Sequence, residues 1–385
     1  MPQPTIVFLV NGDPPGAMGI RAQSFRDRLA SEFDIHIAYR SLSRVRTIFY
    51  FLGVLARVRP SLCYVFDMGY SGVIAAGFYR LFSRCRLVID TGDAIYALSK
   101  STGERGPLGL GLTKLLEWFA FAVSGRVVVR SHPHQEMLAD QGIVASVIPD
   151  GVDTEQFFPC PEPDLRRKYG LEDAVVIGVL GSLVWSPRLQ MCYGWELIEV
   201  IRLLRDRPIK GLIIGDGSGL SRLKEQCAAY GIEDRIVFAG RVRYQDLPRF
   251  VNLMDICLST QTNDVPGQVR TTGKLPIYLA CGRFVLSSNV GEAARVLPPE
   301  MLVTYNGTKD VEYPSRLAQR IEPLLDHPEI WRQPGASVAI AQRHFDYKVL
   351  AANLRKVISD SLRGGRAERP ALVPTASRPE ERGRP

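Results

Sequence analysis

Strand-like and helix-like patterns alternate along this chain, break at a Pro-rich stretch, and then start again; that restart limits the fold more than any other feature. Short apolar runs read as strands at Thr5–Val10, Asp34–Tyr39, Ser61–Asp67, Arg86–Asp90, Arg126–Val129 and Ser146–Pro149. Helical spacing fills the gaps, as over Ile20–Ser31, where Phe25, Leu29 and Ala30 are apolar. Strands joined through helices imply a parallel sheet covered on both faces. The stretch PDGVDTEQFFPCPEP, residues 149–163, reads as an interdomain linker. A second series follows at Val175–Leu180, Gly211–Ile214, Arg235–Phe238, Ile256–Leu258, Phe284–Leu286 and Leu302–Thr304, with helices such as Trp195–Leu204 and Leu220–Tyr230 between them. The expected class is α/β, two Rossmann-like doubly wound domains over residues 1–150 and 151–345. An amphipathic helix is expected over 346–362, its pattern already visible from His344. Residues 363–385 are rich in Pro, Arg, Glu and Ala with little to bury, and are expected to be disordered.

In open α/β sheets, ligands sit beyond the carboxyl ends of the strands. The strand-end loops are therefore the candidate site. The most informative is in DICLSTQTNDVPGQVRTTGKLPIYLACGRFVLSSNVGEA, residues 255–293. There a loop with Gly, Thr and Gln ends on a helix opening at Thr271, Thr272, Gly273 and Lys274. N–H groups, hydroxyls and a Lys at a helix start favour a phosphate. Gly215, Asp216 and Gly217 lie in a GDGSG loop, and Gly240–Arg241 follows the next strand. The first loop, Asn11–Gly19, carries Gly16 and Gly19 and allows close backbone approach, with Arg21 in the helix after it. No GxGxxG opens either half, which disfavours a dehydrogenase.

Formal net charge is +8, of which +3 falls in the tail from Arg363, leaving about +5 on the body. That is too mild for nucleic acid, but suits phosphorylated substrates or an anionic membrane. Seven Cys are scattered without a CxxC pair, which implies reduced, buried thiols in a cytosolic protein, with no disulfide framework and no zinc site. His132 and His134 follow a strand without nearby ligand partners and read as structural or surface residues rather than metal ligands. The start MPQPTIVFLVNG reads as a first strand, not a signal peptide, and no run is long enough to span a bilayer.

Five segments carry a resemblance: IPDGVDTEQFFP (148–159), VIGVLGSL (176–183), IIGDGSG (213–219), IVFAGRV (236–242) and KLPIYLACGRFVLSSNVGEA (274–293). In this order and spacing, across roughly residues 145–345, the chain resembles a GT-B glycosyltransferase of family 4 (group 1). The resemblance implies two Rossmann-like domains facing each other across a cleft. It implies a retaining transferase that moves a sugar from a nucleotide-diphosphate sugar to a hydroxyl acceptor, a sugar or lipid-linked sugar, in surface-polysaccharide or glycolipid synthesis. No cofactor or bound metal is implied. By position Arg188 stands where the family often has a diphosphate-binding Lys. Lys274 and the N–H groups near Thr271–Gly273 would support the same diphosphate. Gly215–Gly217 and Gly240–Arg241 would border the nucleoside.

The family's two Glu, eight residues apart, fall here on Val269 and Ile277, and its basic residue after Gly181 is Ser182. Asp264 is one candidate replacement for a lost Glu. Asp90 and Asp93 end a strand facing the presumed cleft; a carboxylate there, Asp93 above all, could orient or deprotonate an acceptor hydroxyl, or simply cap a turn. Glu117, inside an apolar helical stretch, is expected to make a buried polar contact. Two alternatives stay open: a non-catalytic nucleotide-sugar-binding protein, and a GT-B nucleotide-sugar epimerase. Finally, residues 40–59 hold five Arg and no acid around the apolar run Ile48–Leu55. This is either a core helix with solvated ends or a peripheral contact with the inner membrane face.

Overall fold

The structure, a computed structural model, describes residues 3–40, 43–103 and 105–364. The expected tail lies outside the described residues from 365 onward. The twelve strands of the described residues form two parallel sheets. The first comprises β1 (Thr5–Val10), β2 (Asp34–Tyr39), β3 (Leu62–Val65), β4 (Arg86–Thr91), β5 (Arg126–Val129) and β6 (Ala145–Val147), in the order β2-β1-β3-β4-β5-β6. The second comprises β7 (Val175–Leu180), β8 (Ile209–Ile214), β9 (Ile236–Gly240), β10 (Ile256–Ser259), β11 (Phe284–Ser288) and β12 (Leu302–Val303), in the order β12-β11-β10-β7-β8-β9.

Continuous apolar strands such as Ile6–Val10 are buried on both sides because helices cover both faces. Strand order reverses between β1 and β3 in the first sheet, and between β7 and β10 in the second. At such a reversal the loops leave in opposite directions and open a crevice above the strand ends. The expected two-domain α/β class is what the chain adopts.

The stretch 149–163 is held firmly: Val152 and Phe157 are fully buried in the second core, and its last residue starts the helix Pro163–Lys168. Two expected bounds shift at the C-terminal end. His344 ends the helix Pro334–His344; the closing helix is Tyr347–Arg363, capped by the Asp346 carboxylate accepting from Lys348 N at 2.6 Å. Arg363 belongs to that helix rather than to a tail. This helix leaves the second domain and packs on the first. Leu350, Leu354 and Ile358, spaced at helical period, join Ile6, Phe8 and Tyr64 in one core. Each such buried side chain contributes roughly 1.5–3 kcal/mol, so the helix ties the two halves together.

Candidate active site

The site is built where β7 and β10 part. Gly194 takes a left-handed conformation (φ 99°) as the cap of helix Trp195–Leu203, and Tyr193 stands just before that cap. The Tyr193 hydroxyl donates to the Leu258 carbonyl at 2.8 Å, which fixes the ring beside the end of β10. The ring lies across Gly181, where a Cβ would come within 3.0 Å of it. Lys274, first residue of helix Lys274–Ala280, places its ammonium 3.4 Å from the centre of the same ring.

Next to this pair Glu196 is fully buried. Its Oε2 accepts from Gly194 N at 3.0 Å, while Oε1 has no hydrogen-bond partner. The Thr272 hydroxyl is also buried without a partner, and the Thr260 hydroxyl lies against the Glu196 carboxyl. Burial pulls the Lys274 ammonium well below the usual lysine range; Glu196 opposes that shift and Arg270 adds to it. Burial pushes the Glu196 carboxyl up, against Lys274 and its hydrogen bonds. A cation with a hydroxyl donor close to it in the chain, at a strand-order reversal, is a place to receive an anion; the Glu196 carboxylate balances the cation and does not itself receive the anion.

The glycine loops join the same floor. Gly215 (φ 145°) lies so close to Gly181 that a Cβ would stand 1.9 Å from its carbonyl oxygen. Gly217 packs equally tightly on Leu183, and Gly215 N donates to the Gly240 carbonyl at 2.9 Å. Asp216 turns inward on its own loop, accepting from Gly217 N at 2.8 Å. Arg241 is exposed. The structure therefore brings together Lys274, Gly215, Gly217 and Gly240, with Thr272 nearby in the chain.

Other sequence-predicted residues go elsewhere. Arg188 is exposed on the long loop before Tyr193, and its guanidinium donates to the carbonyls of Ser101 and Lys100 in the first domain. Thr271 donates its hydroxyl to the Arg130 carbonyl. Gly16 and Gly19 make room for the Asp13–Pro14 turn: a Cβ on Gly19 would come within 2.3 Å of the Asp13 carbonyl. Gly273 is exposed with open space around it.

Asp90 is not a site carboxylate. It is fully buried, and accepts from Arg21 Nε (3.1 Å), Arg130 Nε (3.3 Å) and the Tyr64 hydroxyl (3.0 Å). The two guanidiniums hold its carboxyl below the usual range although burial alone would raise it. Arg21 also donates to the carbonyls of Ile148 and Pro149, which anchors the end of the first domain. Asp93 forms an ion pair with Arg270 across the domain seam. Further bonds cross the same seam: Ser131 Oγ to the Val269 carbonyl at 2.7 Å, and Ser101 Oγ to Asp264 at 3.2 Å. Glu292 accepts from His132 N at 2.9 Å and meets its ring Nδ1 at 2.9 Å. His134 is buried with its Nδ1 unpartnered, and burial brings its pKa down to about 4.

Val269 and Ile277 are buried apolar side chains. Asp264 does not stand in for a lost Glu: one oxygen caps Val265–Val269 by accepting from Gly267 N, the other meets Ser101. Glu117 makes the expected buried contact, its burial raising its pKa, with Tyr96 N donating to it at 3.4 Å. Sequence reading gave Glu196 and Glu292 no role. The one signal for Glu196 was an acid in the first turn of the helix opening WELIEVI, in a position flanked by Leu197, Ile198 and Val200.

Two facing Rossmann-like domains, with strand-end loops meeting across a seam, define the GT-B architecture. Solved structures of that kind superpose on nearly the whole chain. Sucrose-phosphate synthase from Thermosynechococcus elongatus matches with TM-score 0.76 at 16% identity, covering 93% of this chain and 99% of that one. Anabaena HepE in complex with UDP and glucose matches with TM-score 0.70 at 17% identity, covering 93% and 100%. Residues 174–327 match the family described as glycosyl transferases group 1. Among sequence relatives, a GDP-mannose-dependent alpha-(1-6)-phosphatidylinositol monomannoside mannosyltransferase of Mycolicibacterium smegmatis is 28% identical over 55% of this chain and 55% of its own length. The chain thus spans about half the length of the curated relatives it matches.

Proposed function

We propose that the protein transfers a sugar from a nucleotide-diphosphate sugar to a hydroxyl acceptor. The observation that carries this reading is Lys274 held at the β7/β10 reversal inside the residues that match glycosyl transferases group 1. Lys274 and the Thr272 hydroxyl, at the start of helix Lys274–Ala280, would receive the diphosphate. Gly215–Gly217 and Gly240–Arg241 would border the nucleoside. Cationic side chains and N–H groups offset the leaving diphosphate's charge, so the reading needs no metal. Attack from the same face as departure would retain the anomeric configuration, as in family 4.

Asp93 and Arg270 hold each other in this structure. Parting of the domains would free both at once, Arg270 toward the diphosphate and Asp93 toward the acceptor hydroxyl. Arg188 could join only by leaving Ser101. The relatives named for phosphatidylinositol-linked substrates support a sugar or lipid-linked sugar as acceptor.

A thermal-shift screen of UDP-, GDP-, ADP- and dTDP-sugars tests donor binding. A ligand at 100 times its dissociation constant stabilises by about 2.7 kcal/mol, well within detection. Stabilisation by one nucleotide class, with transfer to an acceptor, is expected; no stabilisation by any of them contradicts the reading. A second reading, a binding protein without turnover, is favoured by Val269 and Ile277, which leave the ribose without the family's Glu. Donor binding with no transfer across an acceptor panel would select it.

A further inference from the structure

Helix Pro107–Val123 lies on the outside of the first domain, yet PLGLGLTKLLEWFAFAV holds one Lys and one Glu in seventeen residues. Only Thr113 and Ala120 are buried. Leu108 is 92% exposed and Trp118 51%. A helix apolar on nearly all sides is ordinarily covered. Its neighbour, helix Tyr70–Leu81, packs close against it, with Gly77 under the Phe119 ring. That second helix and its end leave Phe78 and Phe82 exposed, their rings 5.3 Å apart and touching each other. Helix Arg44–Val58 packs on Tyr70–Leu81 in turn. It points Thr47, Phe51 and Leu55 inward and leaves Phe49 70% exposed.

Phe51, Leu55, Val73, Ala76 and Ala120 share one core against β1, β3 and β4. The three helices therefore cover one face of the first sheet, and their outer sides form one continuous layer. Stretches 44–59, 70–84 and 105–123 hold eight Arg or Lys against a single acid, Glu117. That acid is turned inward, accepting from Tyr96 N. These stretches carry +7 net, more than the about +5 of the whole body before the tail, so the excess positive charge of the body lies in this layer.

The charge decides what covers the apolar layer. A second copy of the chain would set eight cations against eight. An anionic bilayer satisfies both features, taking rings and leucines into the headgroup–acyl boundary and the cations onto lipid phosphates. Among the described residues no helix is long and apolar enough to cross a membrane. We infer that this three-helix face lies on an anionic membrane surface. Helix Pro107–Val123 comes after helix Ile95–Thr102, whose Ser101 bonds across the seam, and ends just before β5, so Leu108 is at its seam-side end. Docking in this way brings the seam's edge to the lipid.

The test is co-sedimentation of the full chain with vesicles of phosphatidylcholine alone or mixed with phosphatidylglycerol. Binding needs no turnover, so the outcome is independent of the proposed reaction. The protein is expected to bind mixed vesicles at least about tenfold more tightly than neutral ones, and less tightly as salt rises. The triple variant Phe49→Ser, Leu112→Ser, Trp118→Ser should lose about tenfold or more on mixed vesicles with an unchanged circular-dichroism spectrum. Should it misfold, quenching of intrinsic fluorescence by brominated lipid answers instead: it is expected in the parent and to be much reduced in Trp118→Phe. Equal binding to both vesicle types, no binding to either, or quenching unchanged in Trp118→Phe would overturn the inference. So would lipid-free self-association abolished by the triple variant.

Discussion

The Lys274 ammonium rests 3.4 Å from the centre of the Tyr193 ring, and Glu196 lies buried beside them. The aromatic face and the carboxylate favour the charged lysine, while burial and Arg270 disfavour it. Burial wins, so Lys274 loses its proton at lower pH than an ordinary lysine. If Lys274 binds the diphosphate, affinity should fall as pH rises toward the ordinary lysine range. Lys274→Arg should flatten that fall, because guanidinium stays charged. Glu196→Gln removes the carboxylate that raises the lysine pKa and should move the fall to lower pH. Titration calorimetry with a nucleoside diphosphate, repeated across pH, reads all three.

Asp90 sits between Arg21 and Arg130 with no exposed surface. Asp90→Asn would remove the carboxylate that Arg21 and Arg130 share, leaving Asp150 and Asp67 as their remaining counter-charges. Breaking a buried pair from one side costs about 3–5 kcal/mol. A urea-unfolding midpoint lowered accordingly, or failure to fold, is expected. A midpoint within experimental error of the parent would contradict the structural role.

His134 supplies a pH-dependent stability term. Its folded pKa is about 4, below the ordinary value of 6.5. Between those values the unfolded chain takes up a proton that the folded chain refuses, so stability falls as pH drops from 6.5 to 4. The full shift corresponds to about 3 kcal/mol. His134→Gln should shrink this slope in unfolding measurements at several pH values; an unchanged slope would assign it to other groups.

The Arg270–Asp93 pair links residues 177 positions apart, and both side chains are partly exposed. An exposed pair contributes at most about 1 kcal/mol. Asp93→Asn should therefore barely move the melting temperature. It should widen the distribution of domain separations seen by small-angle scattering, since one bond across the seam is lost. An unchanged distribution would mean that the pair does not hold the seam.

Much of the fold was legible because parallel strands are continuous apolar runs. β1, β2 and β7 have the bounds that the sequence pattern indicates. The glycine floor was legible too, since Gly215 occupies a backbone conformation and a close approach that a side chain forbids. Arg188 misled because its loop is longer than linear position suggests, and carries the guanidinium to Ser101 in the other domain. Asp93 and Glu292 find partners that no local pattern links to them; His132 and Glu292 are 160 residues apart. Glu196 was hidden because a first-turn Glu ordinarily favours the helix dipole at the surface, whereas this one is buried.

The most direct measurement compares Lys274→Ala with the parent by calorimetry, using a nucleoside diphosphate and the matching free nucleoside. A cation that acts on the diphosphate should cost at least about tenfold in affinity for the diphosphate, or about 1.4 kcal/mol, and leave the nucleoside within about twofold. Equal losses for both ligands, or none for either, would contradict the placement of Lys274 at the diphosphate.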